Sequence, residues 1–374
     1  MSYRNVVYNN RDQCINLFTW DKDGKRVMHT CSFEPYLYVE DNRGDKTSIY
    51  GTKVKKKKFN NRFNRSRFLS DSGIKRVFEN APPQQQFLLD LYWQENEKPE
   101  FNTQPLRVCL IDIETYSPDS FPDVDNPNHV VNVITCYDNF TKKFHTFGIK
   151  PYNGKGRPDL NYVHCRDERD MFIKFLEYLE SDYPDILSGW NSEFFDIPYI
   201  VGRIEHILGQ EYVNRLSPLG RVYSRLIRGQ FGREQKRFYI EGVACLDYLD
   251  VYKRFCLKLR ESYKLDAIGE VELGQRKIDY GDSNLATLSD EDWDKFIDYN
   301  IQDVNLLVRL EEKLQYFPLL RKLSYVGLTT LEGAMGTIQV INGALCIRAR
   351  DRGEIISTFV RNADTGKNPG AYVA

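Results

Sequence analysis

The chain has 374 residues and a formal net charge of −1 at pH 7, a length that allows about two domains with buried cores. None of its apolar stretches approaches the roughly 18 residues that a membrane-spanning helix needs, and its first residues, M-S-Y-R, lack the apolar core of a secretory signal. Eight cysteines without a C-x-x-C pair and five histidines without an H-x₃-H pair argue against zinc. Composition therefore predicts a cytoplasmic protein with reduced thiols and no membrane partner.

Residues 1–105 are predicted to form a strand-rich amino-terminal domain. Short β-prone runs are followed by Asp23 and Gly24, a hairpin signal, and then by another alternating segment. Residues 82–86, P-P-Q-Q-Q, are typical of a loop, and residues 98–102 are typical of a linker into the next domain.

Residues 53–68 concentrate five lysines, three arginines and three phenylalanines without an acid. Clustered cations neutralise phosphates and aromatic rings stack on unpaired bases, so one interpretation is nucleic-acid contact. The other interpretation is a solvated basic loop, and the sequence leaves both open. The candidate contact residues of this basic run are Lys55, Lys56, Lys57, Lys58 and Arg62.

The apolar residues V-C-L-I at 108–111 predict a strand buried on both faces, and this strand delivers Asp112 and Glu114 at its end. Because side chains alternate along a strand, both carboxylates point the same way. Two neighbouring acids that lose hydration repel each other unless a multivalent cation lies between them. The pattern suggests a Mg²⁺ or Mn²⁺ site, and a solvated turn or cap is the alternative.

The segments that follow predict two further strands and a helix. Residues 130–137 and 143–147 have short connections, which favours an antiparallel meander with the acidic strand. Apolar residues recur at helical spacing over 171–179, and Pro184 ends that helix.

A buried strand at residues 186–190 is predicted to lead to Asp196. Pro198 belongs in a first helical turn, so Asp196 lies near a helix N-terminus. Taken alone, Asp196 is most simply an N-cap.

Residues 221–241 are rich in arginine and predict a long exposed hairpin. A surface loop is one interpretation, and a basic finger that touches nucleic acid through Arg225 and Arg228 is the other. Asp247 and Asp250 follow where a strand passes into a helix, and we interpret them as structural.

A helix is predicted from Ser289, which forms an S-x-x-D capping pattern with Asp292. Tyr299 and Asp303 are four residues apart and therefore lie on one face of this helix. An aspartate among apolar neighbours needs a buried partner or water, although alone the pair is compatible with a solvated face.

Three segments carry these acids in a fixed order: I-D-I-E at residues 111–114, G-W-N-S-E-F-F-D-I-P-Y at 189–199 and Y-N-I-Q-D at 299–303. Together they resemble the exonuclease motifs of family B DNA polymerases, among them the replicative polymerases of T-even-like tailed phages, and the resemblance covers essentially the whole chain. It implies an α/β (α+β) fold in which residues 106–339 form a ribonuclease-H-like 3′-5′ exonuclease domain with a mixed sheet. It also implies that residues 340–374 complete the strand-rich domain of residues 1–105.

The resemblance further implies a two-metal hydrolysis of the 3′-terminal phosphodiester of DNA, with two Mg²⁺ or Mn²⁺ ions. The metal ligands would be Asp112, Glu114, Asp196 and Asp303. Tyr299 matches the family tyrosine that orients the attacking water. Lys277 aligns with a lysine near the scissile phosphate, and a surface lysine is the alternative.

No S-L-Y-P-S and no D-T-D sequence occurs in the chain, so the acids of a polymerase site are missing. We therefore expect the amino-terminal part of a DNA polymerase, with a carboxy-terminal polypeptide carrying palm, fingers and thumb as a partner if the enzyme is split. Its other partners would be DNA, as a single-stranded 3′ end or primer–template, and RNA at the amino-terminal domain. A different hypothesis is a non-catalytic nucleic-acid-binding and assembly module, which the intact acids disfavour.

Overall fold

The computed structural model describes residues 3–74, 76–94, 104–117, 122–154, 156–228, 234–274 and 285–359. The chain divides into two compact units, Met1–Thr103 with Leu320–Ala374 (unit 1) and Gln104–Leu319 (unit 2). The predicted domain boundaries at 105/106 and 339/340 stay predictions, and the predicted linker at 98–102 lies outside the described residues. Within the described ranges, no helix is both long and apolar enough to cross a membrane.

Unit 1 opens with an antiparallel sheet of β1 (Asn5–Asn9), β2 (Cys14–Trp20) and β3 (Arg26–Ser32). The hairpin predicted at Asp23 and Gly24 joins β2 to β3 and is confirmed. Gly24 has a φ of 79°, a left-handed conformation that glycine adopts without a Cβ penalty.

A second sheet begins with β4 (Tyr36–Glu40), β5 (Lys46–Ser48), β6 (Lys53–Lys58) and β7 (Arg76–Phe78), accompanied by α1 (Arg62–Asp71) and α2 (Pro83–Gln94). The basic run therefore lies on a strand and a helix, and the interpretation as a basic loop is wrong. The loop predicted at 82–86 is also wrong from Pro83 onward. Proline opens α2 there, because the first helical position needs no N–H donor and suits the fixed φ of proline.

Unit 2 is built on a six-stranded mixed sheet flanked by helices. In chain order its elements are β8 (Val108–Tyr116), β9 (Val130–Asp138), β10 (Lys143–Gly148), β11 (Leu160–His164), α3 (Glu168–Ser181), β12 (Ile186–Ser188), α4 (Asp196–Leu208), α5 (Gln210–Asn214), β13 (Val222–Arg228), β14 (Glu234–Ile240), β15 (Ala244–Cys245), α6 (Tyr248–Phe255), α7 (Leu265–Leu273), α8 (Leu285–Glu291) and α9 (Trp293–Leu314).

The strand order in this sheet is β11-β10-β9-β8-β12-β15. The predicted meander is confirmed, since β8, β9 and β10 pair antiparallel. Strands β11, β12 and β15 add parallel pairs. This mixed sheet, together with the strand-rich amino-terminal region, confirms the predicted α/β (α+β) class with a ribonuclease-H-like domain.

The two faces of β8 serve different purposes. Cys109, Ile111 and Ile113 join a buried cluster that also contains the apolar faces of α3 and α4. Helix α9 packs against β8 and β9. Because side chains alternate along the strand, Asp112 and Glu114 are directed to the face that α9 covers.

Two helices of unit 2 were predicted in detail, one correctly and one with the wrong cap. In α3, the apolar residues predicted at helical spacing are buried, and the helix ends before Pro184. The cap predicted at Ser289 is wrong, because Ser289 lies inside α8. Asp292 instead caps α9, with an extended φ of −149°, and its side chain accepts from the Lys295 N–H.

The chain continues through α10 (Tyr316–Val326), α11 (Leu331–Ala334), α12 (Thr337–Arg350), β16 (Glu354–Ile355) and β17 (Ser357–Phe359). Strand β16 pairs with β5 and β17 with β7, so residues from the far end of the described chain form both edge strands of the second sheet of unit 1. The buried guanidinium of Arg350, at the end of α12, donates to both carboxylate oxygens of Glu79, at 2.9 and 2.6 Å. This ion pair links α12 to the residue that follows β7.

Candidate active site

Three carboxylates converge where α9 crosses β8. Asp112 and Glu114 come from the strand and Asp303 from the helix, and one oxygen from each lies within 4.8 Å of the others. Asp112 and Glu114 are half-buried, whereas Asp303 is 6% exposed. Like charges at this separation disfavour ionisation unless a cation compensates them. The structure thus brings together three of the four acids that the sequence motifs single out.

Helix α9 also places Tyr299 and Asn300 beside Asp303, one turn away. The Nδ2 of Asn300 donates to the Oδ2 of Asp112 at 2.7 Å. Tyr299 is half-buried and lies one turn before Asp303, as the four-residue spacing predicts. Asn300 was not predicted as a site residue, although its spacing of three residues from Asp303 on a helix indicates a shared face.

The fourth acid, Asp196, is the first residue of α4 and is 3% exposed. Its Oδ1 accepts from the backbone N–H of Ile113, at 3.2 Å, between the two acids of β8. Strand β12 pairs with β8 up to Ser188, which lies opposite Leu110. Further along β8, the Asp196 carboxylate accepts the hydrogen bond from Ile113. Asp196 is not among the three carboxylates within 4.8 Å of one another.

Burial governs the electrostatics of Asp196 and raises the pKa of this carboxyl to about 7. Its own N–H and that of Ile113 favour the charged form, while the charge of Asp247 opposes it. The interpretation of Asp196 as an N-cap is wrong, because Phe195 holds the cap position and α4 has no side-chain cap there.

Asp247 organises the loop that leads into α4. It caps α6, where its Oδ1 accepts from the Leu249 N–H at 2.9 Å. The same carboxylate accepts from the N–H groups of Asn191, at 3.0 Å, and Glu193, at 3.2 Å. Burial raises the pKa of Asp247 to about 7. The position of Asp247 at a strand-to-helix junction predicts a helix cap, but no sequence signal predicts its hydrogen bonds to Asn191 and Glu193.

The basic run of unit 1 is partly engaged by its own surroundings. Lys56 lies 3.1 Å from Asp90 and 3.6 Å from the centroid of the Tyr36 ring. Lys57 lies over the Phe68 ring, and Lys58 pairs with Glu34 at 3.4 Å. Lys55 and Arg62 are exposed.

The predicted hairpin of unit 2 is confirmed as β13 and β14, which pair antiparallel. On it, Arg225 lies over the stacked rings of Tyr223 and Tyr239, 5.2 and 5.4 Å from their centroids. Arg228 ends β13, and its side chain is not described. Lys277 lies outside the described residues.

Comparison with known proteins defines the class. The family description "DNA polymerase family B, exonuclease domain" matches residues 60–268, and the chain belongs to this family. The resemblance of its motifs to this family is thereby confirmed, and an exonuclease domain of this family implies the use of divalent metal.

The relatives are longer proteins. The chain is 27% identical to the DNA-directed DNA polymerase of Escherichia phage RB69, over 94% of the chain and 42% of that protein. It is 30% identical to the DNA-directed DNA polymerase of Enterobacteria phage T4, over 63% of the chain and 28% of that protein. It is 29% identical to the DNA polymerase delta catalytic subunit of Drosophila melanogaster, over 56% of the chain and 20% of that protein. The chain therefore spans less than half the length of these relatives.

Proposed function

We propose that the chain acts as a proofreading 3′-5′ exonuclease that hydrolyses the 3′-terminal phosphodiester of DNA. The observation that carries this proposal is the convergence of Asp112, Glu114 and Asp303 at one place in unit 2. Hard divalent cations prefer carboxylate oxygens, and a cation offsets the repulsion within such a cluster. Membership of the exonuclease family supplies the class of reaction.

The donor set fits Mg²⁺ or Mn²⁺, because all of its atoms are carboxylate oxygens. We assign Asp112, Glu114 and Asp303 to one ion, and Asp112 together with Asp196 to a second, which Asp196 reaches directly or through water. Two such ions, when bound, supply an activated water and stabilise the departing 3′ oxygen. The nearby N–H of Ile113 keeps Asp196 oriented along β8.

The remaining residues act on the water and on the DNA. A phenol at neutral pH both donates and accepts hydrogen bonds, so we assign Tyr299 to orienting the attacking water. We place Lys277 beside the scissile phosphate, with a surface lysine as the alternative role. Arg225, Arg228 and the exposed members of the basic run would contact the sugar–phosphate backbone of DNA, and of RNA in unit 1.

The whole enzyme, in this proposal, is a DNA-directed DNA polymerase that works in the cytoplasm. A carboxy-terminal polypeptide that holds palm, fingers and thumb would supply nucleotide addition. The relatives support this part of the proposal, because they are DNA-directed DNA polymerases of which the chain covers less than half.

The proposal is tested with single-stranded and 3′-recessed oligonucleotides labelled at the 5′ end, incubated with Mg²⁺ or with a chelator. We expect stepwise shortening of the labelled strand with Mg²⁺ and none with the chelator. A parallel substrate labelled at the 3′ end should release its label in the first step, which establishes the direction. Binding without any shortening would overturn the proposal and favour a binding and assembly module.

A further inference from the structure

Asn300 lies in the amino-terminal half of α9 and is fully buried, at 0% exposed. Its Nδ2 donates to the Oδ2 of Asp112 at 2.7 Å, across 188 positions of the sequence. The assignment of the amide follows from charge, since only the NH₂ end can face a carboxylate without repulsion. The other end, Oδ1, has no hydrogen-bond partner among the described residues. The bond to Asp112 is therefore the polar contact that fixes this amide.

The amide has an electrostatic consequence at the carboxylate cluster. Asp112 is half-buried, and one of its carboxylate oxygens lies within 4.8 Å of an oxygen of Glu114 and of Asp303. Repulsion between these charges favours rotation of the Asp112 carboxylate away from the other two. A donor at 2.7 Å restrains that rotation. Because an amide is neutral, it does so without bringing a positive charge that would compete with a cation. Groups that orient metal ligands in this way commonly set metal affinity.

We propose that Asn300 is a positioning residue, which holds the Asp112 carboxylate in the orientation that lets it share an ion with Glu114 and Asp303. This inference rests on the proposed function. Asn300 acts through Asp112 and touches neither DNA nor the reacting atoms. A residue that merely filled the core would affect stability, whereas a positioning residue changes the affinity of the site for a divalent ion.

The test uses Asn300→Leu and Asn300→Ala, which both remove the donor but change side-chain volume in opposite directions. Mn²⁺ binding to the full chain without DNA is measured by electron paramagnetic resonance, alongside the Mg²⁺ dependence of oligonucleotide shortening. We expect both variants to weaken Mn²⁺ binding by about 10- to 100-fold. The half-saturating Mg²⁺ concentration should rise by a similar factor, and the rate at saturating Mg²⁺ should fall less.

The matched control is Asn305→Leu, since Asn305 lies on the same helix and its Nδ2 reaches Gln302 rather than the cluster. This control should leave Mn²⁺ binding unchanged. Wild-type Mn²⁺ affinity in folded Asn300→Leu and Asn300→Ala would overturn the inference. Loss of the fold in both variants would also overturn it, because Asn300 would then be a core residue. If the wild-type chain binds Mn²⁺ but shortens no DNA, the proposed function fails while the role of Asn300 is still decided by binding.

Discussion

The Oδ1 of Asp196 accepts a hydrogen bond of 3.2 Å from the backbone N–H of Ile113. The first residue of α4 is thereby joined to the strand that carries Asp112 and Glu114. The loop that precedes α4 is in turn held by Asp247 through the N–H of Glu193, at 3.2 Å. Backbone contacts of this kind make the position of each acid depend on the others.

Replacing Asp247 should destabilise unit 2. Asp247→Ala removes the cap of α6 and leaves the N–H groups of Asn191 and Glu193 without their acceptor. We therefore expect a loss of about 2 to 4 kcal/mol in the free energy of unfolding. Asp247→Asn keeps one accepting oxygen and should lose less. The measurement is chemical denaturation in the presence of chelator. Equal stability of Asp247→Ala and the wild-type chain would show that these bonds carry no net stabilisation.

The stability of the metal-free chain should depend on pH through its buried acids. Burial raises the pKa of Asp196, Asp247 and Glu311 to about 7. Between about pH 4 and 7 the folded chain therefore holds protons that the unfolded chain has released. The free energy of unfolding should fall as pH rises through this window, by up to about 1.4 kcal/mol per pH unit for each group, and level off above it.

Melting temperature, followed from pH 5 to 8 in chelator, checks this dependence. Glu311→Gln should flatten the slope, because it removes one of the buried acids whose pKa is raised. The exposed neighbour Glu312 provides the control, and Glu312→Gln should keep the wild-type slope. A melting temperature that rises from pH 5 to 7 would contradict the assignment.

Replacing the basic run should weaken nucleic-acid binding while leaving the rate at saturating DNA nearly unchanged. Each lysine that neutralises a phosphate releases a counterion, and this release makes binding depend on salt. For Lys55, Lys56, Lys57 and Lys58 all changed to Gln, the slope of log affinity against log salt should shrink by up to roughly 0.7 for each phosphate of a single strand that is no longer neutralised.

The surroundings of the lysines sharpen this test. Lys56 pairs with Asp90, so Lys56→Gln should mainly reduce stability, whereas Lys55→Gln should mainly reduce the salt slope. Lys22→Gln combined with Lys25→Gln changes exposed lysines on the loop between β2 and β3 and serves as the control. An unchanged salt slope in the quadruple variant would mean that this surface does not contact phosphates.

The chain alone should shorten a primer and not extend it. The four acids of unit 2 are assigned to hydrolysis, and nucleotide addition needs carboxylates of its own to hold metal ions against a triphosphate. Primer length is followed on a primer–template with all four deoxynucleotides and Mg²⁺. Extension by the chain, or by Asp112→Ala in which degradation is silenced, would contradict this account.

The sequence predicts the parts of the site that follow from local periodicity. Alternation along β8 places Asp112 and Glu114 on one face, and the four-residue spacing on α9 aligns Tyr299 with Asp303. The order of these segments in the chain carries the family resemblance. Local rules suffice for these features because each involves one element only.

The contacts between elements were not predictable in this way. Nothing local in the sequence indicates that Asn300 reaches Asp112 or that Asp247 reaches Asn191, since both pairings depend on how elements pack. The cap of α9 shows a local ambiguity, because Ser289 and Asp292 are both good capping residues and the extra helix α8 decides between them. The basic run was similarly ambiguous, because lysine-rich strands are uncommon.

The role of the carboxylate cluster is tested by comparing oligonucleotide shortening by Asp112→Ala, Asp303→Ala and the control Glu312→Gln at saturating Mg²⁺. If the carboxylate cluster holds the catalytic ions, the two cluster variants should lose at least about 1000-fold in rate, and the control should stay within about twofold. The melting temperature of Asp303→Ala in chelator should equal or exceed that of the wild-type chain, because one repelling charge is gone. Asp112→Ala also leaves the buried Nδ2 of Asn300 without its acceptor, so this variant should not gain stability. Wild-type rates of shortening in Asp112→Ala and Asp303→Ala would contradict the assignment of this site.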